Sequence, residues 1–371
     1  MLRNRATAEG TAAYARRHPG LPGNFRPMLG GLNVSSIGIG TYLGDPDDET
    51  DAAYVEAIEA ALLGGINLID TAVNYRFQRG ERAVGKVLAE LIGSGALRRE
   101  EVVVATKGGY LTFDGAMPPN PRAWFEEHFV RSGLVGPQDL VEGAHCITPR
   151  YLGAMLEMSR SNLGLDTIDI YYLHNPETQL ATVARAEFLD RIRRAFEFLE
   201  RQVDEGKIGV YGTATWNGYR VAASERQYLQ MEELVKIAHE IAGRDHHFRV
   251  VQLPFNLAMP EALTLANQQL PDRRGTTLRA AVGFGLAVCA SASLLQGRLA
   301  RGLPPIVAEA FEGLSTDAQR AVQFVRSAPG INVALVGMKS AAHVKEILAG
   351  AHCPPASIEA FSRLFTPSRS A

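Results

Sequence analysis

Gly64 to Tyr75, G-G-I-N-L-I-D-T-A-V-N-Y, is the stretch from which the fold of this chain can be read. Glycine ends the preceding helical pattern, because a left-handed turn is easiest for a residue without a Cβ. The apolar run that follows is too short for a helix and is typical of a fully buried strand. It ends on Asp70, and Tyr75 follows five residues later. The stretch therefore predicts a helix-to-strand unit with polar residues at its carboxyl end.

The same unit recurs along the chain. Helical patterns, with apolar residues three and four positions apart, cover 54–63, 83–91, 152–163, 188–203, 231–241 and 318–325. After a candidate first strand at Ser36 to Ile39, further strand-like runs begin near Ile66, Val102, Ile168, Ile208, Val250, Leu286 and Val333. Eight alternating strands and helices predict a single-domain (β/α)8 TIM barrel, and an open doubly wound sheet is the alternative.

An enlarged loop is predicted after the third strand, over about 108–147. The step from Val102 to Ile168 is 66 residues, longer than the other steps between strand starts. Part of the loop, about 121–130, is predicted to be helical, and Thr148 and Pro149 supply the start of the next helix. Loops after barrel strands gather on the face where active sites lie. The loop's aromatic residues are therefore predicted either to wall a substrate pocket or only to pack on the barrel rim: Tyr110, Phe113, Trp124, Phe125 and Phe129.

The composition is that of a soluble globular protein, with 46% hydrophobic residues among 371 and a formal net charge of -2. This charge gives no electrostatic reason to expect nucleic acid or an anionic membrane as a partner. No run of about 18 apolar residues is present to span a bilayer. Cys146, Cys289 and Cys353 are too scattered for a disulfide framework or a zinc cluster. We expect a cytoplasmic protein that acts on a small molecule, without sequence support for an oligomer.

Residues 1–24 lack the hydrophobic segment of a secretory signal. Arg3, Arg5, Arg16 and Arg17 leave two interpretations, an organelle-targeting segment or a polar, loosely ordered arm, and the arm is favoured. The barrel is accordingly predicted to occupy 25–371.

Polar side chains end three successive predicted strands: Asp70, Lys107 and His174. Because these strand ends neighbour one another around a barrel mouth, the side chains are expected to meet, with Tyr75 leaning over the same opening. A free phenol has a pKa of about 10, and a nearby ammonium lowers it. Tyr75 is thus predicted to be a general acid whose pKa Lys107 lowers, with Asp70 holding Lys107 and His174 donating to a carbonyl oxygen. Each residue alone also fits a helix cap, an ion pair or a turn.

Over residues 25 to about 347, the sequence resembles the aldo-keto reductases. The motifs that carry the resemblance are 30–41 G-G-L-N-V-S-S-I-G-I-G-T, 64–75, 102–107 V-V-V-A-T-K, 168–176 I-D-I-Y-Y-L-H-N-P and 333–340 V-A-L-V-G-M-K-S. The resemblance implies a barrel whose bottom is closed by a hairpin near 25–35. It also implies NADP(H) as cofactor, with Asp70, Tyr75, Lys107 and His174 as the catalytic tetrad and direct hydride transfer between cofactor and carbonyl carbon.

The resemblance also implies where the nicotinamide binds. Family members usually carry Ser-Asn after the fifth strand, where this chain has Ala214 and Thr215, so that only Thr215 keeps a hydrogen-bonding side chain. Gln252, at the end of the sixth strand, matches the family's carboxamide-binding glutamine. Ser291 and Ser293 follow the seventh strand, where many members place a tyrosine beneath the nicotinamide ring. Their alternative role is that of ordinary loop hydroxyls.

The phosphate end of the cofactor is expected after the eighth strand. Gly337, Lys339 and Ser340 lead into a helix whose free backbone N–H groups and dipole suit a phosphate, and the alternative is that Lys339 and Ser340 merely cap it. His343 stands where NADP(H)-preferring members commonly have an arginine, and Glu346 where they have a glutamate near the adenine. A histidine is a weaker anion partner than an arginine at neutral pH. With Lys339 as the candidate phosphate contact, we expect NADP(H) rather than NAD(H).

Two functions are compatible with these residues. The first is an NADP(H)-dependent oxidoreductase that reduces an aldehyde or ketone to an alcohol, or the reverse. The second is a cofactor-binding regulatory subunit that senses redox state with little turnover. No metal site is predicted, because His145 has no partner at ligand spacing and His246 and His247 precede the sixth strand, on the opposite, stabilising face of the barrel.

Overall fold

The computed structural model describes residues 1–136, 138–270 and 273–365. In chain order its strands are β1 (Phe25–Met28), β2 (Leu32–Ser35), β3 (Ile37–Gly40), β4 (Leu68–Asp70), β5 (Val103–Gly108), β6 (Ile168–His174), β7 (Ile208–Ala214), β8 (Phe248–Pro254), β9 (Gln268–Gln269), β10 (Arg274–Gly275), β11 (Ala287–Ser291) and β12 (Val333–Gly337). The strands β3 to β8, β11 and β12 pair in parallel and close into a barrel. The predicted (β/α)8 barrel is confirmed.

Helices alternate with the barrel strands. They are α1 (Ala8–Arg16), α2 (Asp48–Gly64), α3 (Arg79–Gly93), α4 (Pro121–Phe125), α5 (Pro149–Leu163), α6 (Arg185–Asp204), α7 (Met231–Ala242), α8 (Glu261–Thr264), α9 (Thr277–Gly283), α10 (Pro305–Ala310), α11 (Asp317–Ser327), α12 (Ala341–Ala351) and α13 (Ile358–Ser362). Gly65 ends α2 with φ 111°, and Gly330 precedes β12 with φ 89°. Both glycines thus take the left-handed conformation expected between a helix and the following strand, and Gly65 is itself the helix cap. Within the described ranges, no helix has the length and apolar character of a transmembrane span.

The bottom of the barrel is closed by the antiparallel hairpin of β1 and β2. Met28 and Val34 from this hairpin are buried in one apolar cluster with Leu68, Val103 and Val333 from the barrel interior. The cluster plugs the end at which the barrel strands begin. The opposite end, where the strands finish, is therefore the open mouth.

Residues 1–24, expected to be a polar, loosely ordered arm, carry α1 and are hydrogen-bonded to the barrel. Leu2 pairs with Leu165, and the backbone N–H of Ala6 donates to Asp169 Oδ1 at 2.7 Å. Tyr14 on α1 is fully buried and donates its hydroxyl to the carbonyl oxygens of Leu62 and Ile66 at 2.5 and 3.1 Å. The segment docks through buried backbone and phenol hydrogen bonds, which the arginine-rich composition does not reveal.

The insertion after β5 leaves and re-enters the barrel through a short antiparallel neck. The Leu111 N–H donates to the Ala144 carbonyl, and the Cys146 N–H to the Gly109 carbonyl, both at 2.8 Å. The predicted helix forms as α4, capped by Asn120, followed by a π-helical turn over 126–131. The insertion is thus anchored at the mouth, beside the ends of β5 and β6.

The connection between β8 and β11 was not predicted in detail. It contains α8, the small hairpin of β9 and β10, and α9. The helical patterns predicted elsewhere all lie inside longer helices. The caps Asp47 and Thr316, for example, start α2 six residues and α11 one residue before the predicted pattern.

Candidate active site

The ends of β4, β5 and β6 bring the predicted quartet together at the mouth. Asp70 is paired in register with Ala105 on β5, and Lys107 lies two residues further along the same face. The Lys107 Nζ lies 2.7 Å from Asp70 Oδ2 and 4.7 Å from the centre of the Tyr75 ring. The rings of Tyr75 and His174 meet edge to face at 5.9 Å. Asp70, Tyr75, Lys107 and His174 therefore form one contiguous cluster.

The Asp70–Lys107 ion pair is buried, with side chains 8% and 1% exposed. The Lys107 ammonium also donates to the Thr71 carbonyl at 2.8 Å, and the second Asp70 oxygen accepts from Gln252 Nε2 at 2.7 Å. Burial acts to lower the pKa of Lys107, yet the charges and hydrogen bonds of Asp70 and Tyr75 raise it above its ordinary value overall. The lysine is thus held as a cation beside the phenol.

The pKa of the Tyr75 phenol is not shifted in the predicted direction. Burial raises the pKa of Tyr75 above its ordinary value, and the nearby Lys107 charge opposes this only in part. The expected lowering by Lys107 is present, but the removal of the ring from water outweighs it. Tyr75 is therefore a protonated phenol at neutral pH, the form needed in a proton donor.

His174 is a neutral imidazole. Burial, the Lys107 charge and the neighbouring His145 hold the pKa of His174 well below its ordinary value. Its Nδ1 is buried with no hydrogen-bond partner among the described residues. A neutral ring that donates through one nitrogen is consistent with the predicted donor to a carbonyl oxygen.

Two aromatic residues at the mouth were missed by the sequence reasoning. Tyr42 follows β3, is 56% exposed, and meets the Tyr75 ring edge to face at 5.1 Å. Trp216 lies just beyond β7 and is 45% exposed. The signal that could have found them is an aromatic residue within two positions of a barrel strand's carboxyl end.

The aromatic residues of the insertion divide into two groups. Tyr110 belongs to the site, since its ring meets the His174 ring at 5.1 Å and its hydroxyl lies 3.2 Å from Asn175 Nδ2. Phe129 does not line the mouth, because it is buried in a cluster with Tyr151 and Met155 of α5. Trp124 and Phe125 pack on the same cluster, and Phe113 packs between Phe77 and Trp124. The rim-packing interpretation holds for Phe129.

Phe129→Ala is expected to destabilise the protein by about 3–5 kcal/mol, because it empties a buried aromatic site. Urea unfolding measures this loss. Phe125→Ala, at a half-buried position of the same cluster, is the matched control and should cost less. If Phe129→Ala left stability unchanged and altered substrate preference, Phe129 would instead line the substrate pocket.

The residues predicted to hold a nicotinamide lie together. His174 pairs in register with Ala214, and Ala214 with Gln252, so that three strand ends align. The Thr215 hydroxyl donates to the Gln252 carbonyl at 3.5 Å, and the Gln252 amide nitrogen reaches Asp70. Hydrogen-bonding groups that suit a carboxamide therefore lie beside the cluster of Asp70, Tyr75, Lys107 and His174.

The two serines after β11 differ. Ser291 ends the strand and is half-buried, whereas the buried Ser293 hydroxyl donates to the Ala290 carbonyl at 3.4 Å. Ser293 thus has the ordinary loop contact given above as the alternative. The loop also holds Ala292, Leu295 and Gln296 at φ 55°, 46° and 54°. Such strain in residues other than glycine is common at functional loops, and sequence composition does not reveal it.

The residues predicted for the phosphate end surround the start of α12. Ser340 is the N-cap and accepts from the His343 N–H at 3.3 Å, as the capping alternative required. Gly337, Lys339 and His343 are exposed, and Glu346 is half-buried. The first-turn N–H groups of a helix have no intrahelical acceptor, so the donors here suit an anion.

Glu177 is a further residue that the sequence reasoning missed. It is buried, and its Oε1 accepts from the backbone N–H groups of Trp216, Asn217 and Gly218 at 2.7, 3.0 and 3.3 Å. The carboxylate thereby fixes the loop after β7, which carries Thr215.

Among the described residues, no group of three or more His, Cys, Asp or Glu side chains is arranged to hold a metal ion.

The family model described as the aldo/keto reductase family matches residues 36–237. This match covers more than half of the chain and includes Asp70, Tyr75, Lys107 and His174. The chain therefore belongs to the aldo/keto reductase family.

Two curated relatives give the range of activities among similar sequences. An NADH-specific methylglyoxal reductase from Escherichia coli K12 is 29% identical over 208 residues, covering 55% of this chain and 54% of the relative. A D-threo-aldose 1-dehydrogenase from Pseudomonas sp. is 30% identical over 188 residues, covering 49% and 50%. The chain thus spans about half the length of the curated relatives it matches.

Solved structures with the same fold cover nearly the whole chain. An aldo/keto reductase from Klebsiella pneumoniae, in complex with NADP and acetate, superimposes with a TM-score of 0.61 at 22% identity, covering 94% of this chain and 97% of that chain. A glycerol dehydrogenase from Gluconobacter oxydans gives a TM-score of 0.62 at 20% identity, covering 94% and 100%. At these identities the likeness concerns the fold.

Proposed function

We propose that this protein is an NADP(H)-dependent oxidoreductase that reduces an aldehyde or ketone to an alcohol, or catalyses the reverse reaction. The observation that carries the proposal is the Lys107 ammonium, held 2.7 Å from the buried Asp70 carboxylate and 4.7 Å from the centre of the Tyr75 ring. A buried acid, amine and phenol in this order are suited to exchanging a proton with a substrate oxygen. Family membership supports the same chemistry.

In this proposal Tyr75 is the general acid. Its hydroxyl protonates the carbonyl oxygen as that oxygen gains negative charge, and the neutral His174 ring donates a hydrogen bond to the same oxygen. The raised pKa of the Tyr75 phenol keeps the proton in place until the oxygen becomes basic. When bound, the nicotinamide cofactor supplies the hydride for the carbonyl carbon.

Lys107 and Asp70 are assigned supporting roles. The ammonium stabilises the phenolate that remains after proton transfer, since a cation beside a phenolate favours the charged form. Asp70 keeps the ammonium charged and oriented through its 2.7 Å contact. Neither group needs to touch the substrate for this purpose.

The residues present fit a nicotinamide dinucleotide. Thr215 and Gln252 would hold the carboxamide, and Ser291 lies at the neighbouring strand end. The start of α12, with Lys339, would hold a phosphate. NADP(H) is preferred to NAD(H) in this proposal, supported by the exposed Lys339 at that end and by the NADP found in the Klebsiella pneumoniae structure. The NADH-specific Escherichia coli relative is the reason to measure both.

The proposed substrate is a carbonyl compound with a flat or apolar portion. Tyr42 meets the Tyr75 ring, Tyr110 meets the His174 ring, and the exposed Trp216 follows the end of β7. Aromatic faces contribute large apolar contact areas to small-molecule sites, and a few polar groups fix orientation.

Purified protein is expected to oxidise NADPH in the presence of some member of a panel of aldehydes, ketones and quinones. Absorbance at the reduced nicotinamide band measures turnover, and quenching of protein fluorescence gives the dissociation constants of NADPH and NADH. Tighter binding of NADPH is expected. Tight cofactor binding without turnover on any panel member would contradict the enzyme and favour the redox-sensing regulatory subunit.

A further inference from the structure

The neck of the insertion, residues 109–111 paired with 144–146, lies directly against the cluster of Asp70, Tyr75, Lys107 and His174. Its two antiparallel segments pair Tyr110 with His145, and both residues contact His174 at the end of β6. His145 is fully buried, and its Nε2 lies 2.7 Å from the carbonyl oxygen of His174. Since a carbonyl oxygen accepts, the Nε2 of His145 carries the proton and donates.

The other nitrogen of His145 is fixed by a second partner. Gln179 Nε2 donates to His145 Nδ1 at 2.8 Å, and Gln179 Oε1 in turn accepts from Arg191 Nη1 at 2.6 Å. This chain of partners allows only the neutral tautomer protonated at Nε2. Burial lowers the pKa of His145 to about 4, so the ring keeps this state at neutral pH.

The approach of the neck to His174 depends on a glycine. Gly109 has a φ of 153°, and a Cβ added to it would lie 2.8 Å from the His174 carbonyl oxygen and 3.0 Å from His145 Nε2. A side chain here would enter the hydrogen bond between the two histidines. The close contact is therefore built into the backbone at this position.

The Tyr110 side chain contacts the rings of both histidines. Its ring meets the His145 ring at 4.9 Å and the His174 ring at 5.1 Å, in both cases edge to face. Its hydroxyl lies 3.2 Å from Thr178 Oγ1 and from Asn175 Nδ2 on the segment after β6. The His174 backbone and ring are thus held by separate parts of the neck.

We infer that the neck of the insertion positions the catalytic histidine, with His145 as the positioning residue and Gly109 as the residue that admits it. The inference rests on the proposed function for the role of His174 as the donor to the substrate oxygen. His145 acts only through His174, by fixing the carbonyl of that residue and, through Tyr110, the orientation of its ring. Small displacements of a positioned group reduce rate strongly, by as much as about 10²-fold for 1 Å.

Three variants test this inference. His145→Gln keeps a side-chain N–H donor near the position of Nε2, His145→Phe keeps a ring without hydrogen bonds, and Gly109→Ala leaves His145 intact but separates it from His174. His247→Phe is the matched control, because His247 is hydrogen-bonded to Glu200 near the start of β8, at the closed end of the barrel.

The first readout is the ring resonance of His174 in the cofactor-free protein, followed by NMR on ¹⁵N-histidine-labelled samples and assigned with His174→Gln. His145→Phe and Gly109→Ala should shift or broaden it, whereas His145→Gln and His247→Phe should leave it as in the unmodified protein. The second readout is kinetic: His145→Phe and Gly109→Ala should lower kcat about 10-fold to 10²-fold with the dissociation constant of NADPH unchanged.

An unaltered His174 resonance in both folded Gly109→Ala and His145→Phe would overturn the inference, as would values of kcat within about twofold of the His247→Phe control. Failure of His145→Phe to fold leaves Gly109→Ala to decide. If the unmodified protein turns over no substrate, the proposed function fails by itself, while the His174 resonance still tests the positioning role.

Discussion

Tyr75→Phe is expected to lower kcat for carbonyl reduction by about 10²- to 10⁴-fold, the contribution typical of a positioned general acid. The substitution removes only the hydroxyl. The ring contacts with Tyr42, Lys107 and His174 remain, because phenylalanine keeps the ring. The dissociation constant of NADPH should therefore change little, and the loss should fall on the chemical step. Steady-state rates and fluorescence titration measure the two quantities.

Tyr54→Phe is the matched control for this experiment. Tyr54 is also a buried phenol, its hydroxyl has no hydrogen-bond partner among the described residues, and its ring packs against Arg76 at 4.6 Å. Its loss of a hydroxyl should leave kcat nearly unchanged. If Tyr75→Phe kept the original rate, the proton would have to come from another group, and Tyr75 would lose its assigned role.

The barrel and the quartet could be predicted from sequence because their signals are local. A short apolar run after a glycine marks a buried strand, and Asp70, Lys107 and His174 stand at the ends of three such runs. Parallel strands of a closed barrel then leave one mouth for all three side chains. Ala214 and Thr215 could be assigned to the nicotinamide site only through the family resemblance, and that assignment stays a prediction.

The remaining features depend on contacts between distant segments. Phe129 is an aromatic residue on a loop in the sequence, and only the position of α5 decides that it is buried. The net direction of the Tyr75 pKa depends on burial, which periodicity does not measure. His145 and Glu177 are hydrogen-bonded to backbone atoms of other segments, and no spacing rule reports such partners. The ordered N-terminal segment belongs to the same class, since Tyr14 bonds to carbonyls near the end of α2.

Lys107→Met is expected to destabilise the protein by about 3–5 kcal/mol, the typical cost of breaking a buried ion pair by removing one partner. The Asp70 carboxylate, 8% exposed, would keep only the Gln252 amide as a hydrogen-bond donor among its present contacts. Asp70→Asn should also be costly, because it leaves the buried ammonium without its counter-charge. Urea unfolding of the cofactor-free protein measures both, and kcat should fall together with stability.

The double variant Asp70→Asn/Lys107→Met separates the cost of an unpaired charge from the value of the pair. Since neither charge then remains, its free energy of unfolding should exceed the value expected from adding the two single losses. Arg194→Met is the control, because Arg194 and Asp190 are also 2.7 Å apart but about half exposed, and such pairs contribute about 0–1 kcal/mol. Strict additivity at Asp70 and Lys107 would contradict the pairing on which the proposed proton donor depends, because the ammonium would then be stabilised by its surroundings and not by the carboxylate.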